Sequence, residues 1–279
     1  MKQLRAIMEC ILLLGIVYLI YEIMYFAYNY IIFYGLQQEW VWIPIEAYAH
    51  LGDIESMTLE YVSDHPLEYT LISWLMVACF FLSVVIFSKQ KLSQTFAIRH
   101  MSIKNSLTSM VTGIGLVFLM NGLIRFISAA TDIEFSYLSS STFRVYNLWF
   151  LMVVVGILTP IFEELFFRGV VLSRLSHGFG PLVSILLSSV MFSLSHMNPV
   201  QSIYVFPVGL LAAYLVYKTG SIFSAIWLHT LYNILNIYLA KIDFFQYNSV
   251  QLLVLMLIGI CLLGIGLYQS EEQNAIENP

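Results

Sequence analysis

Nearly unbroken apolar runs separated by short polar segments make up most of the chain. Hydropathy windows of about 19 residues place helices near 7–34, 71–88, 107–127, 147–175, 181–197, 202–218, 221–240 and 249–268. Backbone groups in lipid must be satisfied internally, so these runs are predicted as helices. The alternating pattern with aromatic girdles that a barrel requires is missing. A hydrocarbon core of about 30 Å takes roughly 20 residues per crossing. The expected fold is therefore all-α and polytopic, with about eight transmembrane helices. Lys2 and Arg5 precede the run Ile7–Tyr34, which is longer than the apolar core of a signal peptide and lacks a small-residue cleavage site, so it is predicted to be an uncleaved first helix. No internal repeat or low-complexity segment interrupts this order.

Composition sharpens the picture. Hydrophobic residues make up 59% of the chain and charged residues 10%, against roughly 25% charged in an ordinary soluble domain. The mean hydropathy is +0.82. Three parts are expected: residues 1–140 with the first helices and an acidic outer loop (37–70), a core at 141–245, and a last helix with an acidic tail at 246–279. A net charge of -5 leaves no continuous basic surface, so nucleic acid is excluded as a partner. Cys10, Cys79 and Cys261 are far apart in apolar runs and are read as packing residues.

Charge placement sets the expected orientation. The segment from Gln37 to Thr70 holds Glu39, Glu46, Asp53, Glu55, Glu60, Asp64 and Glu68 without any Lys or Arg. The segment from Ser88 to Ser106 carries Lys89, Lys91, Arg99 and Lys104. Positive residues stay inside, so the first loop is expected outside and the second in the cytoplasm. Arg168, Arg174 and Lys218 then fall on the inner side, with Arg144 and Lys241 as outer exceptions. A multi-pass protein of the cell membrane with both termini cytoplasmic follows. The acidic loop is read as solvated with a partial amphipathic helix, and His50 and His65 as surface residues.

Ionisable groups inside a span are costly and usually face a cavity or each other. Three segments stand out. In Thr159–Arg168, Glu163 and Glu164 are adjacent; Glu164 and Arg168 are i, i+4 neighbours able to pair, while Glu163 points about 100° away. His196 closes the segment Phe192-Ser-Leu-Ser-His196 on the last turns of a helix, and His229 and Asn233 share one helical face. At about 1.5 Å of rise per residue, Glu163 lies roughly 17 Å, His196 roughly 22 Å, His229 roughly 12 Å and Asn233 roughly 18 Å from the cytoplasmic helix ends. Three helices thus bring polar groups to overlapping depths. Glu22 in the first helix is protonated, hydrogen-bonded or a lining residue, and Arg125 snorkels to the outer interface.

Peptide hydrolysis needs an activated water, oxyanion stabilisation and a proton donor. Glu163 suits a general base acting on a water shared with His196, and His229 with Asn233 suit the oxyanion. Glu164 and Arg168 would orient their helix. A zinc variant would use Glu163, His196 and His229 as ligands, although the stronger H-E-x-x-H signal is absent and no cofactor is firmly implied. The G-x-S-G and G-x-G-D signatures of other intramembrane proteases are absent too.

The three segments, Glu163-Glu164-Leu-Phe-Phe-Arg168, Phe192-Ser-Leu-Ser-His196 and His229-Thr-Leu-Tyr-Asn233, resemble the motifs of the CPBP family of CAAX-processing and bacteriocin-processing membrane proteases, also called the Abi family. The resemblance spans about 147–240, which makes 141–245 the expected CPBP/Abi catalytic core. It implies eight helices around a cytoplasm-facing cavity. It also implies endopeptidase action on a membrane-associated peptide or lipidated protein precursor, of CAAX, bacteriocin or pheromone-leader type. The family is commonly labelled metalloprotease, and the glutamate-activated water is the favoured mechanism. Three other readings stay open: a scaffold or self-immunity protein that holds a partner such as a sensor kinase, a transporter, and a set of packing groups without chemistry. The chain's end, Ile276-Glu277-Asn278-Pro279, is no C-a-a-X sequence.

Overall fold

The computed structural model describes residues 1–38, 51–88, 97–131, 145–242 and 249–270. Outside these lie Glu39, Glu46 and His50 of the acidic loop, Lys89 and Lys91, Arg144, and the acidic tail from residue 271. The described residues form helices and no strand. In chain order they are α1 (Lys2–Gln37), α2 (Ile54–Asp64), α3 (Pro66–Ser88), α4 (Ile103–Thr131), α5 (Leu148–Ser176), α6 (Pro181–Leu194), α7 (Pro199–Thr219), α8 (Phe223–Lys241) and α9 (Ser249–Gln269). The protein is an all-α, multi-pass membrane protein.

Six helices among the described residues, α1, α3, α4, α5, α7 and α9, are long and apolar enough to cross a bilayer, where about eight were expected. The other two have physical reasons to fall short. α6 has 14 residues and stops before His196, and α8 is diluted by His229, Asn233 and Asn236. The expected acidic loop contains α2, whose first turn is capped by Asp53 accepting from the Ser56 amide at 2.8 Å. The hydrogen bonds from Ser56 hold the Asp53 carboxyl below its ordinary range. His65 is not a plain surface residue: it is half-buried and its ring stacks on Tyr61 at 3.9 Å.

α1, at 36 residues, is about 54 Å long, more than a bilayer core requires. Its buried residues sit near its ends: Ala6 and Cys10 at one, Ile32 and Gly35 at the other. Ile32 packs with Val62 of α2, while Cys10 lies beside the Val171 carbonyl of α5. Leu12, Leu19, Ile23 and Phe26 remain exposed, as lipid-facing side chains are. Elsewhere the helices are closely apposed. A Cβ at Gly115 of α4 would come within 2.8 Å of the Gly259 carbonyl oxygen of α9, so glycine at both positions permits backbone contact.

Contacts between helix ends give the bundle two faces. On one, Glu9 meets Arg174, Ser221 Oγ donates to the Arg99 carbonyl, and Lys218 Nζ donates to the Leu267 carbonyl. On the other, the Tyr146 hydroxyl joins the Leu67 amide and the Glu68 carboxylate. Burial and Glu68 push the Tyr146 phenol up from its ordinary pKa. Basic side chains thus gather on the face that holds the start of α1 and the end of α9.

Candidate active site

α5 is one helical run of unequal pitch. Its α-helical turns are interrupted by π-helical segments at Val154–Leu158 and Leu165–Leu172. Proline explains the polar consequence of the first. In π register the Thr159 amide donates to the Val154 carbonyl, so the next bond would run from residue 160 to Val155. Residue 160 is proline, which has no N–H. The Val155 carbonyl is satisfied from another helix instead: Asn233 Nδ2 of α8 donates to it at 2.9 Å. One hydrogen of the Asn233 amide is therefore engaged in joining helices, and one is left for other work.

The second half of α5 carries Glu163, Glu164 and Arg168. Arg168 Nε lies 3.0 Å from Glu164 Oε2, and both side chains are fully buried. Arg168 Nη2 also donates to the Gly209 carbonyl of α7 at 2.9 Å. A Cβ at Gly209 would come within 2.8 Å of the Phe192 ring, so the absence of a side chain there makes room for Phe192. Paired with a guanidinium, Glu164 offers oxygens that only accept. His229 of α8 accordingly donates from Nδ1 to Glu164 Oε1 at 2.8 Å. Its other nitrogen, Nε2, faces Glu163 Oε2 at 3.7 Å. With Nδ1 committed, Nε2 accepts in the neutral ring and donates only in the doubly protonated one. Glu163 keeps 14% of its side chain exposed and His229 6%, against none for Glu164. Glu163 is therefore the more accessible carboxylate.

His196 does not lie on the last turns of α6, as the sequence suggested. α6 ends at Leu194, and His196 sits in the turn that follows. There its Nδ1 donates to the Phe192 carbonyl at 2.9 Å, which leaves Nε2 as an acceptor in the neutral ring. Phe192, fully buried, joins this histidine to the rest. Its ring meets His196 edge-on at 5.0 Å and His229 edge-on at 5.7 Å, and the Arg168 guanidinium lies 4.6 Å from its centroid. Sequence reading gave Phe192 no role beyond marking a motif. A fully apolar residue emits no signal that distinguishes a hub from ordinary packing.

Two aromatic residues from the N-terminal helices also approach the site, and hydropathy does not single them out. Trp74 of α3 stacks on Phe162, the neighbour of Glu163, and Tyr21 of α1 meets Trp74 edge-on. Trp74 and Phe162 line a cavity of about 270 Å³ with Val77, Phe81, Leu165 and Phe166, walled almost wholly by apolar side chains. Glu22 is half-buried beside Tyr18 on its own helix, and Arg125 is exposed near the end of α4.

The proposed zinc ligands fit a metal poorly. Among the described residues no three His, Cys, Asp or Glu side chains are grouped as a metal site would need. Each histidine commits Nδ1, His229 to Glu164 and His196 to the Phe192 carbonyl, and keeps Nε2 for a further contact.

Residues 145–235 match the family model described as "Type II CAAX prenyl endopeptidase Rce1-like", a segment that contains all three motifs. The match agrees with the resemblance to CPBP family intramembrane proteases read from the motifs. The family is one of peptidases. No curated protein and no solved structure matches the chain.

Proposed function

We propose that the protein is an intramembrane endopeptidase that hydrolyses a peptide bond in a membrane-associated, lipid-modified precursor. The observation that carries this reading is the buried set Glu163–His229–Glu164, in which an imidazole stands between two carboxylates within the span of α5. In the proposed reaction Glu163 takes a proton from a water that His196 Nε2 helps to orient. The resulting hydroxide attacks the scissile carbonyl. The doubly protonated His229 ring and the remaining Asn233 hydrogen receive the oxyanion, and Glu163 returns its proton to the leaving amine. Glu164, paired with Arg168, accepts from His229 Nδ1 and so fixes the orientation of the ring.

A prenylated C-a-a-X protein is the favoured substrate. The description of the matching family supports it, as does the apolar cavity beside Phe162. Bacteriocin and pheromone leaders share the feature of membrane association and fit the same chemistry. The clustering of Arg5, Arg99, Arg174 and Lys218 on one face supports a cell-membrane orientation with both termini cytoplasmic. A scaffold that holds a membrane partner such as a sensor kinase is the second reading.

Comparison of processed peptides from cells carrying the wild type or Glu163→Ala tests the choice. A protease loses its processed products in the variant at equal expression. A scaffold keeps its phenotype.

A further inference from the structure

Serine hydroxyls in these helices mostly fold back onto their own helix. Ser73 donates to the Tyr69 carbonyl, Ser109 to Asn105 and Ser189 to Ile185, each four residues earlier. Ser193 and Ser202 behave differently. Ser193, in the last turn of α6, donates to the Ser202 carbonyl of α7 at 2.6 Å, and Ser202 donates to the Ser193 carbonyl at 2.8 Å. The two hydroxyls form a reciprocal clasp across the connection that holds His196.

The clasp acts on the backbone of that connection. The Ser193 carbonyl that accepts from Ser202 also accepts from the His196 amide at 3.3 Å. One residue later the chain turns sharply, with Met197 at φ +53°, a conformation that a non-glycine side chain resists. Asn198 then caps α7 by accepting from the Gln201 amide at 3.0 Å. The Phe192 carbonyl, near the end of α6 where helical partners run out, accepts from both Ser195 Oγ and His196 Nδ1. The histidine's acceptor and main-chain anchor thus lie on two successive carbonyls, Phe192 and Ser193, and the second is gripped by α7.

We propose that Ser193 and Ser202 are positioning residues for His196. By locking the ends of α6 and α7 together they keep the His196 ring on the Phe192 carbonyl in its Nδ1–H form, with Nε2 presented to the reacting water. The proposal rests on the reading that His196 orients this water. It adds Ser202, outside the three motifs, and Ser193, inside the second, and it gives the left-handed turn at Met197 a purpose.

The test uses the full-length protein in lipid nanodiscs with a farnesylated peptide ending in a C-a-a-X sequence as probe. Ser193→Ala and Ser202→Ala are expected to lower kcat by about tenfold to a hundredfold, the scale of a small misplacement of a reacting group, with KM nearly unchanged. Ser202→Thr, which keeps the hydroxyl, is expected to restore most of kcat. The ¹⁵N spectrum of the histidines, with His196 assigned by its loss in His196→Gln, reads the clasp whether or not the probe is cut. One Nδ1–H tautomer is expected in the wild type and a mixture in the alanine variants. A single unchanged tautomer in both alanine variants overturns the proposal. So does an unchanged kcat when His196→Ala is inactive, an outcome that leaves the histidine's own role standing. Full activity in His196→Ala overturns the catalytic reading of His196 and the proposal with it.

Discussion

Helices α5 to α8 and helices α1 to α3 differ in how their polar side chains reach carbonyl and carboxylate acceptors. In the first group polar bonds cross between helices: Arg168 to Gly209, His229 to Glu164, Asn233 to Val155, Ser188 to Phe167, and Ser193 with Ser202. In the second, Asn29, Ser73 and Ser83 bond carbonyls of their own helix, and the helices meet through aromatic edges such as Tyr25 on Tyr69. Lipid gives helices no hydrophobic drive to associate, so geometry comes from close packing and crossing hydrogen bonds. The residues that carry the proposed chemistry lie where such bonds are concentrated. The N-terminal helices reach that region with aromatic rings and ion pairs at their ends.

Breaking the crossing bonds is therefore expected to matter far more than breaking peripheral ones. The largest effect on stability is expected for Arg168→Leu, which strands the buried Glu164 carboxylate. Losing one member of a buried pair costs about 3–5 kcal/mol. A lowered thermal midpoint in detergent micelles checks this, and cleavage is expected to fall as His229 loses its anchor. Next comes Asn233→Ala, which leaves the Val155 carbonyl unsatisfied at a cost of about 1–3 kcal/mol. Pro160→Ala supplies the missing N–H, so the double variant is expected to recover part of the loss. A double-mutant cycle coupling of about 0.5–3 kcal/mol reads that recovery, and zero coupling contradicts the proline account. The smallest effect belongs to Arg174→Gln at the half-exposed pair with Glu9. The expected change is about 0–1 kcal/mol, measured by the same midpoint.

The same contrast explains what was legible in the sequence. Apolar runs announced the helices, because length and hydropathy in lipid leave few alternatives. Glu163, Glu164, Arg168, His229 and Asn233 stood out because each is costly in a span. The spacing of Glu164 and Arg168 anticipated their contact. The π-helical turns were hidden, since hydropathy carries no information on pitch; Pro160 was the available sign that a carbonyl on α5 would need a partner. His196 was placed on a helix that ends two residues earlier, because the apolar run continues to the turn. Phe192, Gly209, Tyr21 and Trp74 were silent, being residues that any apolar helix accommodates.

Glu163, set against His229 in the membrane, is the proposed activator of the water that cuts the substrate. The most direct test of this role is the cleavage rate of the farnesylated C-a-a-X peptide by purified Glu163→Gln protein in nanodiscs, with the fold checked by thermal midpoint. A drop of about 10²–10⁴-fold is predicted, the usual contribution of a general base. A folded Glu163→Gln protein that cleaves at the wild-type rate contradicts the account.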